Sequence, residues 1–266
     1  MKILKLLIAI TTVATIYSCA TVPLTGRRQL SLVGDSEINQ AAAASYSQLL
    51  SDPKTTVITG TIDAQRVKRV GGQLATAIER YLQQNGYSNQ YNFTWEFNLI
   101  KSNEVNAWCM PGGKVAVYSG LLPIAKTDAG LATVMGHEIG HAIARHSAER
   151  MSQELAAQAG GALVGAATSN KSAQAQAIIG ELYGVGGQLT LLKYSRDQES
   201  EADKLGLTFM AMAGYDPNEA VAFWQRMAAQ NKGGAIPEFL STHPTDATRI
   251  AAIQRAVPDA MKYYKK

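Results

Sequence analysis

Five residues, His137-Glu138-Ile139-Gly140-His141, constrain this chain more than any others, because they set three polar side chains inside a largely apolar stretch. Residues four apart on a helix lie about 40° apart around its axis, so both imidazoles point the same way. The segment from 129 to 144 holds no proline and is mostly Ala, Leu, Val, Met and Ile. Apolar residues surround its axis almost completely, the pattern of a helix buried in a core. Two neutral imidazoles on one face suit Zn²⁺, and Glu138 between them can take a proton from a water that the metal activates. A five-residue motif with three fixed positions also arises by chance, so a third ligand decides.

One known pattern places a third His six residues after the second, but position 147 is Ser and His146 falls one residue early. The other common solution is a carboxylate from a downstream helix, and the segment from 195 to 213 offers Glu199, Glu201 and Asp203. At about 100° per residue, Glu199 shares a face with Asp203, Gly206, Met210 and Ala213. Glu201 falls on the opposite side with Lys204 and Thr208, which reads as a solvated face. Two inward carboxylates one turn apart are costly unless a cation or donors satisfy them. Glu199 is therefore expected as the third ligand. Asp203 is expected behind the ligands, orienting one histidine through its other ring nitrogen. His146 reads as a structural helix residue.

These motifs together resemble the gluzincin clan of zinc metallopeptidases, and within it the M48 family. The resemblance is carried by the 137–141 motif, the run Tyr194-Ser195-Arg196-Asp197-Gln198-Glu199-Ser200-Glu201-Ala202-Asp203, Asn106-Ala107-Trp108 with Pro111-Gly112-Gly113, and Ser241-Thr242-His243-Pro244 with Arg249. It extends from about Leu24 to Ala256 and looks closest to a bacterial lipoprotein and mitochondrial quality-control branch. It implies an α+β, predominantly helical fold with a small antiparallel sheet packed on the His137–His141 helix. It also implies a zinc endopeptidase, with one Zn²⁺ per chain, acting on unfolded or misassembled envelope proteins. In this resemblance Val105, Asn106, Ala107 and Trp108 match an edge strand that pairs with extended substrate. His243, with Arg249 behind it, matches an oxyanion donor. His243 equally fits a fourth metal ligand that holds the enzyme latent. A different reading is an envelope chaperone or assembly factor for outer-membrane proteins with low or latent proteolysis; a zinc amidase acting on cell-wall peptide shares the chemistry but not the resemblance.

Residues 1–18 have a basic start and a short apolar core, the form of a secretory signal, and the core is shorter than the roughly 20 residues a spanning helix needs. Ile16-Tyr17-Ser18-Cys19 resembles a lipobox, which implies cleavage after Ser18 and lipidation of Cys19. Ala20 then favours the periplasmic face of the outer membrane as the destination. Residues 19–34 form the lipidated start and a polar linker, and 35–266 the peptidase domain. With Cys19 acylated, Cys109 has no partner for a disulfide and reads as a buried small side chain. The formal charge of +4, lowered to +2 by loss of Lys2 and Lys5 with the signal, is too small an excess to argue for nucleic acid. No residue pattern fixes an oligomeric state.

Helices are expected from 35 or 36 to 50, from 63 to 84, from 217 to 229 behind an Asp216-Pro217 cap, and from 245 to 255. Phe93, Trp95, Phe97 and Leu99 alternate with polar residues as a half-buried strand, and 105–110 with 114–119 form a hairpin across Pro111-Gly112-Gly113. The Ala- and Gly-rich segment from 151 to 192 reads either as a lid over the cleft or as helix packing through small residues.

Overall fold

The computed structural model describes residues 19–162, 194–230 and 237–265. The signal-like segment and most of the Ala/Gly-rich segment lie outside them. Six strands and nine α-helices are described: β1 (Cys19–Thr21), β2 (Arg28–Leu30), α1 (Asp35–Ser51), β3 (Val57–Ile58), α2 (Ile62–Gln84), β4 (Glu96–Ile100), β5 (Ala107–Met110), β6 (Lys114–Tyr118), α3 (Leu122–Ala125), α4 (Asp128–Ile143), α5 (His146–Ala162), α6 (Arg196–Met212), α7 (Glu219–Ala229), α8 (Glu238–Thr242) and α9 (Ala247–Ala260). The chain is predominantly helical with small sheets, as expected. Among the described residues, no helix is long and apolar enough to cross a membrane.

The main sheet runs β3-β4-β6-β5. It is mixed rather than antiparallel throughout, because β4 and β6 pair in parallel, with Phe97 opposite Val115 and Leu99 opposite Val117. The turn at 111–113 sets only the antiparallel β5–β6 pair, and the parallel pairing arises because β6 rather than β5 joins β4. Gly112 and Gly113 adopt φ of 80° and 86°, conformations that favour glycine, and fold β6 back along β5. The strand order leaves β5 at the edge, and among the described residues no strand pairs with its outer side. Alternate residues face opposite layers. Ala116, Trp108 and Met110 meet Ala42, Tyr46 and Leu49 of α1, while Val115, Val117 and Ala107 enter the larger core with α2 and α4.

The expected strand through Phe93 is shorter than its side-chain alternation, since ladder pairing begins at Glu96. The alternation survives in the side chains. Tyr91, Phe93, Trp95 and Phe97 stack in succession, with Phe93 and Trp95 centroids 4.4 Å apart. The helix after Asp216 begins at Glu219 instead of Pro217, because Asp216 Oδ1 accepts from the Asn218 amide and closes a turn first.

Helix α4 is buried on nearly every face, including His137, Glu138 and His141. It crosses α6 at glycines. A β-carbon on Gly206 would lie 2.8 Å from the His137 amide nitrogen, and one on Gly140 would lie 2.9 Å from the Ala202 carbonyl oxygen. The two backbones therefore touch where the polar residues sit. A methyl group at 206 meets main-chain atoms that cannot rotate away. This outweighs the roughly 1 kcal/mol by which alanine favours a helix over glycine. Gly206→Ala is expected to lose a net stability of about 1–2 kcal/mol in urea unfolding. Gly72→Ala in α2, where nothing lies within 4 Å of the new carbon, is expected to gain about 0.5–1 kcal/mol. Equal effects at the two positions would contradict the backbone contact.

Candidate metal centre

His137 and His141 leave α4 one turn apart, and Glu199 enters from the first turn of α6. That turn is fixed by a capping box in which the Ser195 hydroxyl accepts from the Gln198 amide and Gln198 Oε1 accepts from the Ser195 amide. His243 arrives just after α8. His137, His141, Glu199 and His243 are all buried and each offers a donor atom within 4.8 Å of the others. His137 Nε2 lies 3.1 Å from His141 Nε2 and 3.3 Å from His243 Nδ1. Glu199 Oε1 lies 3.4 Å from His141 Nε2 and 2.8 Å from His243 Nδ1.

The donor set fits a metal ion on three grounds. A tetrahedral ion with bonds of about 2.0–2.1 Å holds its donors about 3.3–3.4 Å apart, near most of these separations. Glu199 Oε2 and Glu138 Oε1 are buried and accept no hydrogen bond, although Arg249 Nη1 stands 3.0 Å from Glu199 Oε2 in an ion pair. Third, Arg249 is the one buried guanidinium facing Glu138, Glu199 and Asp203 among the described residues. Three carboxylates outnumber Arg249 and a protonated His137, and a bound cation would offset the remaining negative charge.

The same contacts set the ionisation of the cluster in the absence of a metal. Burial depresses the His137 imidazole, yet hydrogen bonds and charge from Asp203 and Glu199 raise it to about 9. Burial holds His141 well below the usual imidazole range. Glu199 is driven below the carboxylate range against its own burial, by His243 charge and by hydrogen bonds from His137, His141 and His243. Burial raises Glu138, the pattern expected of a base in a dry site.

Asp203 lies where the spacing of α6 puts it, with Oδ1 2.9 Å from His137 Nδ1. Arg249 grips that carboxylate with both arms, Nε to Oδ2 and Nη2 to Oδ1 at 2.9 Å each. Its guanidinium stacks 3.9 Å over the Trp224 ring. Against burial, these contacts bring Asp203 down to about 2. Val105, Asn106, Ala107 and Trp108 lead into the edge strand β5, which packs on α4. The Val105 carbonyl accepts from the Phe239 amide of α8, tying this edge to the segment that carries His243. Cys109 is half-buried in β5, and burial pushes its thiol up, the reverse of an activated nucleophile.

Glu201 departs from its sequence reading, and His146 makes a contact that its reading did not give. Glu201 is buried, not solvated: its carboxylate accepts from Thr25 Oγ1 at 2.5 Å and from Arg27 Nε at 2.6 Å, and lies 3.0 Å from His146 Nε2. The hairpin of β1 and β2 supplies Thr25 and Arg27 and covers the face of α6 that periodicity assigns to solvent. Burial opposes its ionisation, but His146, Thr25 and Arg27 lower Glu201 to about 2. His146, read as structural, has Nδ1 2.8 Å from His141 Nδ1. On a continuous helix a residue five positions on would lie about 140° away. Arg145, at a φ of 53°, breaks α4 from α5 and turns His146 back under His141. No periodicity signals that break. The Cys19 side chain lies outside the described residues.

Comparison with known proteins agrees with this geometry. Residues 68–257 match Peptidase family M48. The mitochondrial metalloendopeptidase OMA1 of Schizosaccharomyces pombe is 33% identical over 244 residues, covering 90% of this chain and 66% of that protein. The putative beta-barrel assembly-enhancing protease of Vibrio cholerae is 34% identical over 172 residues, covering 61% of this chain and 34% of its own length. The beta-barrel assembly-enhancing protease of Escherichia coli is 30% identical, over 62% of this chain and 35% of that one. The chain thus spans between about a third and two thirds of the length of these relatives. It belongs to peptidase family M48.

Proposed function

We propose that this chain is a zinc metalloendopeptidase that cleaves unfolded or misassembled proteins of the cell envelope. We place it on the periplasmic face of the outer membrane, held by lipid on Cys19. The observation that carries the reading is the convergence of His137, His141 and Glu199 beside Glu138 in one buried cluster. The names of the relatives support peptide-bond cleavage, one group being mitochondrial metalloendopeptidases and the other beta-barrel assembly-enhancing proteases. The lipobox-like Ile16–Cys19 segment supports the envelope over the mitochondrion.

Zinc, when bound, supplies a Lewis acid that polarises the scissile carbonyl and activates water near neutral pH. The chain supplies the rest. The edge of β5 pairs with the backbone of an extended substrate, which selects for unfolded segments with little regard to their sequence. Glu138, dry and raised in pKa, takes the proton of the attacking water and hands it to the leaving amine. Asp203 accepts from His137 Nδ1–H and so leaves Nε2 free as a donor. Arg249 serves as the clamp on Asp203 and Glu199 rather than as an oxyanion donor, since those carboxylates, the Pro244 carbonyl and the Trp224 face engage its guanidinium.

His243 takes the fourth donor position in this reading, because its Nδ1 lies among the ligand atoms. In that position it would hold the enzyme latent, and turnover would require it to leave the cluster of donor atoms.

Glu138→Gln is expected to keep zinc and fold while its digestion of casein falls about 10²–10⁴-fold. Chelator treatment of the parent protein should abolish the same digestion and added zinc restore it. Casein binding that survives chelation, with no digestion by the parent chain, would favour the chaperone reading instead. His243→Ala should raise casein turnover severalfold at unchanged zinc content; a fall in turnover would return His243 to the role of oxyanion donor.

A further inference from the structure

His141 has a hydrogen-bonding arm of its own, as His137 has Asp203. His141 Nδ1 faces His146 Nδ1 at 2.8 Å, and His146 Nε2 faces Glu201 Oε2 at 3.0 Å. All three groups are buried, so no bulk water replaces a missing partner. Two facing Nδ1 atoms at that distance need one proton between them, and the carboxylate at the far end decides where it sits. Ionised Glu201 is an acceptor only, so His146 Nε2 carries the hydrogen and donates it. A neutral His146 then has a bare Nδ1, which accepts from His141 Nδ1–H. His141 in turn has its lone pair on Nε2, the atom aimed at Glu199 and His137. The Tyr194 ring stacks 4.0 Å from His141 and fixes the plane in which this alignment holds.

We propose that His146 and Glu201 are positioning residues that set the tautomer of His141 and thereby complete the metal centre from its second side. This rests on the reading of His141 as a metal ligand. The arm is anchored on the β1–β2 hairpin. Arg27 holds Glu201 through Nε, and Nη1 and Nη2 reach Glu149 at 2.7 and 2.9 Å. Gln198 of the α6 capping box donates to that same Glu149 at 2.8 Å. The hairpin is thus coupled to the metal site through four side chains, Arg27, Glu201, His146 and His141.

Histidine tautomers in the zinc-loaded full chain can be read by long-range ¹H–¹⁵N correlation, and zinc affinity by competition with a chromogenic chelator. In the parent protein His146 should be protonated on Nε2 alone and His141 on Nδ1. His146→Leu, which removes the acceptor, should weaken zinc binding about 10–100-fold and lose the His141 Nδ1–H signal. His146→Asn, whose Oδ1 can replace the ring Nδ1 as acceptor, should restore most of the affinity. A His146→Leu protein with parental affinity and an unchanged His141 signal would overturn the proposal while leaving the metallopeptidase reading intact. A parent chain that takes up no zinc overturns both. Should His146→Leu fail to fold, the parental spectrum decides: a proton on His146 Nδ1 is incompatible with the relay.

Discussion

Gly136, Gly140 and Gly206 let two buried helices meet backbone to backbone, and the meeting of His137 and His141 with Glu199 and Asp203 depends on that contact. With ordinary side chains at those positions the axes would stand 8–10 Å apart, and carboxylates as short as Asp203 would fall short of the imidazoles. The crossing puts the His137 face of α4 directly on the Glu199 face of α6. A buried cluster of this polarity is unfavourable in isolation, so the apolar packing around it must hold it together. Leu131, Met135, Ile139, Leu205, Phe209 and Met210 are all essentially inaccessible and surround the site on both helices. The stability of the fold is used there to hold charge where water cannot screen it.

Within that frame the acidic residues divide the work by position along α6. Glu199, at the helix start, presents its carboxylate to three imidazoles. Asp203, one turn on, is too short to join them and instead meets the back of His137. Glu201, between them in sequence, points the other way and meets His146. Arg249 and Arg27 then balance the two sides, the first on Asp203 and Glu199, the second on Glu201 and Glu149. One short helix segment therefore addresses both histidines of α4, directly and from behind.

The sequence made the centre of this arrangement legible and its periphery not. Facing of Glu199 and Asp203 follows from 3.6 residues per turn, and α6 places both inward as that period requires. The burial of α4 follows from its unbroken apolar surface. Periodicity groups residues on a face but does not say what covers the face. Glu201 shares its side with Lys204 and Thr208, and only a hairpin some 176 residues earlier hides it. His146 was obscured for a local reason, since a single left-handed residue, Arg145, resets the helical angle. The parallel pairing of β4 and β6 was unreadable because the hairpin turn shows that β5 and β6 pair, not on which side the pair joins β4.

Zinc K-edge X-ray absorption on the zinc-loaded chain tests the central arrangement most directly. The geometry predicts at least two imidazole rings, visible by their outer-shell multiple scattering, and a carboxylate oxygen, with donor bonds of about 2.0–2.1 Å. His137→Ala should remove one ring from that signal. A first shell of oxygens alone, or a spectrum indifferent to the loss of His137, would mean that the two helices do not meet around an ion.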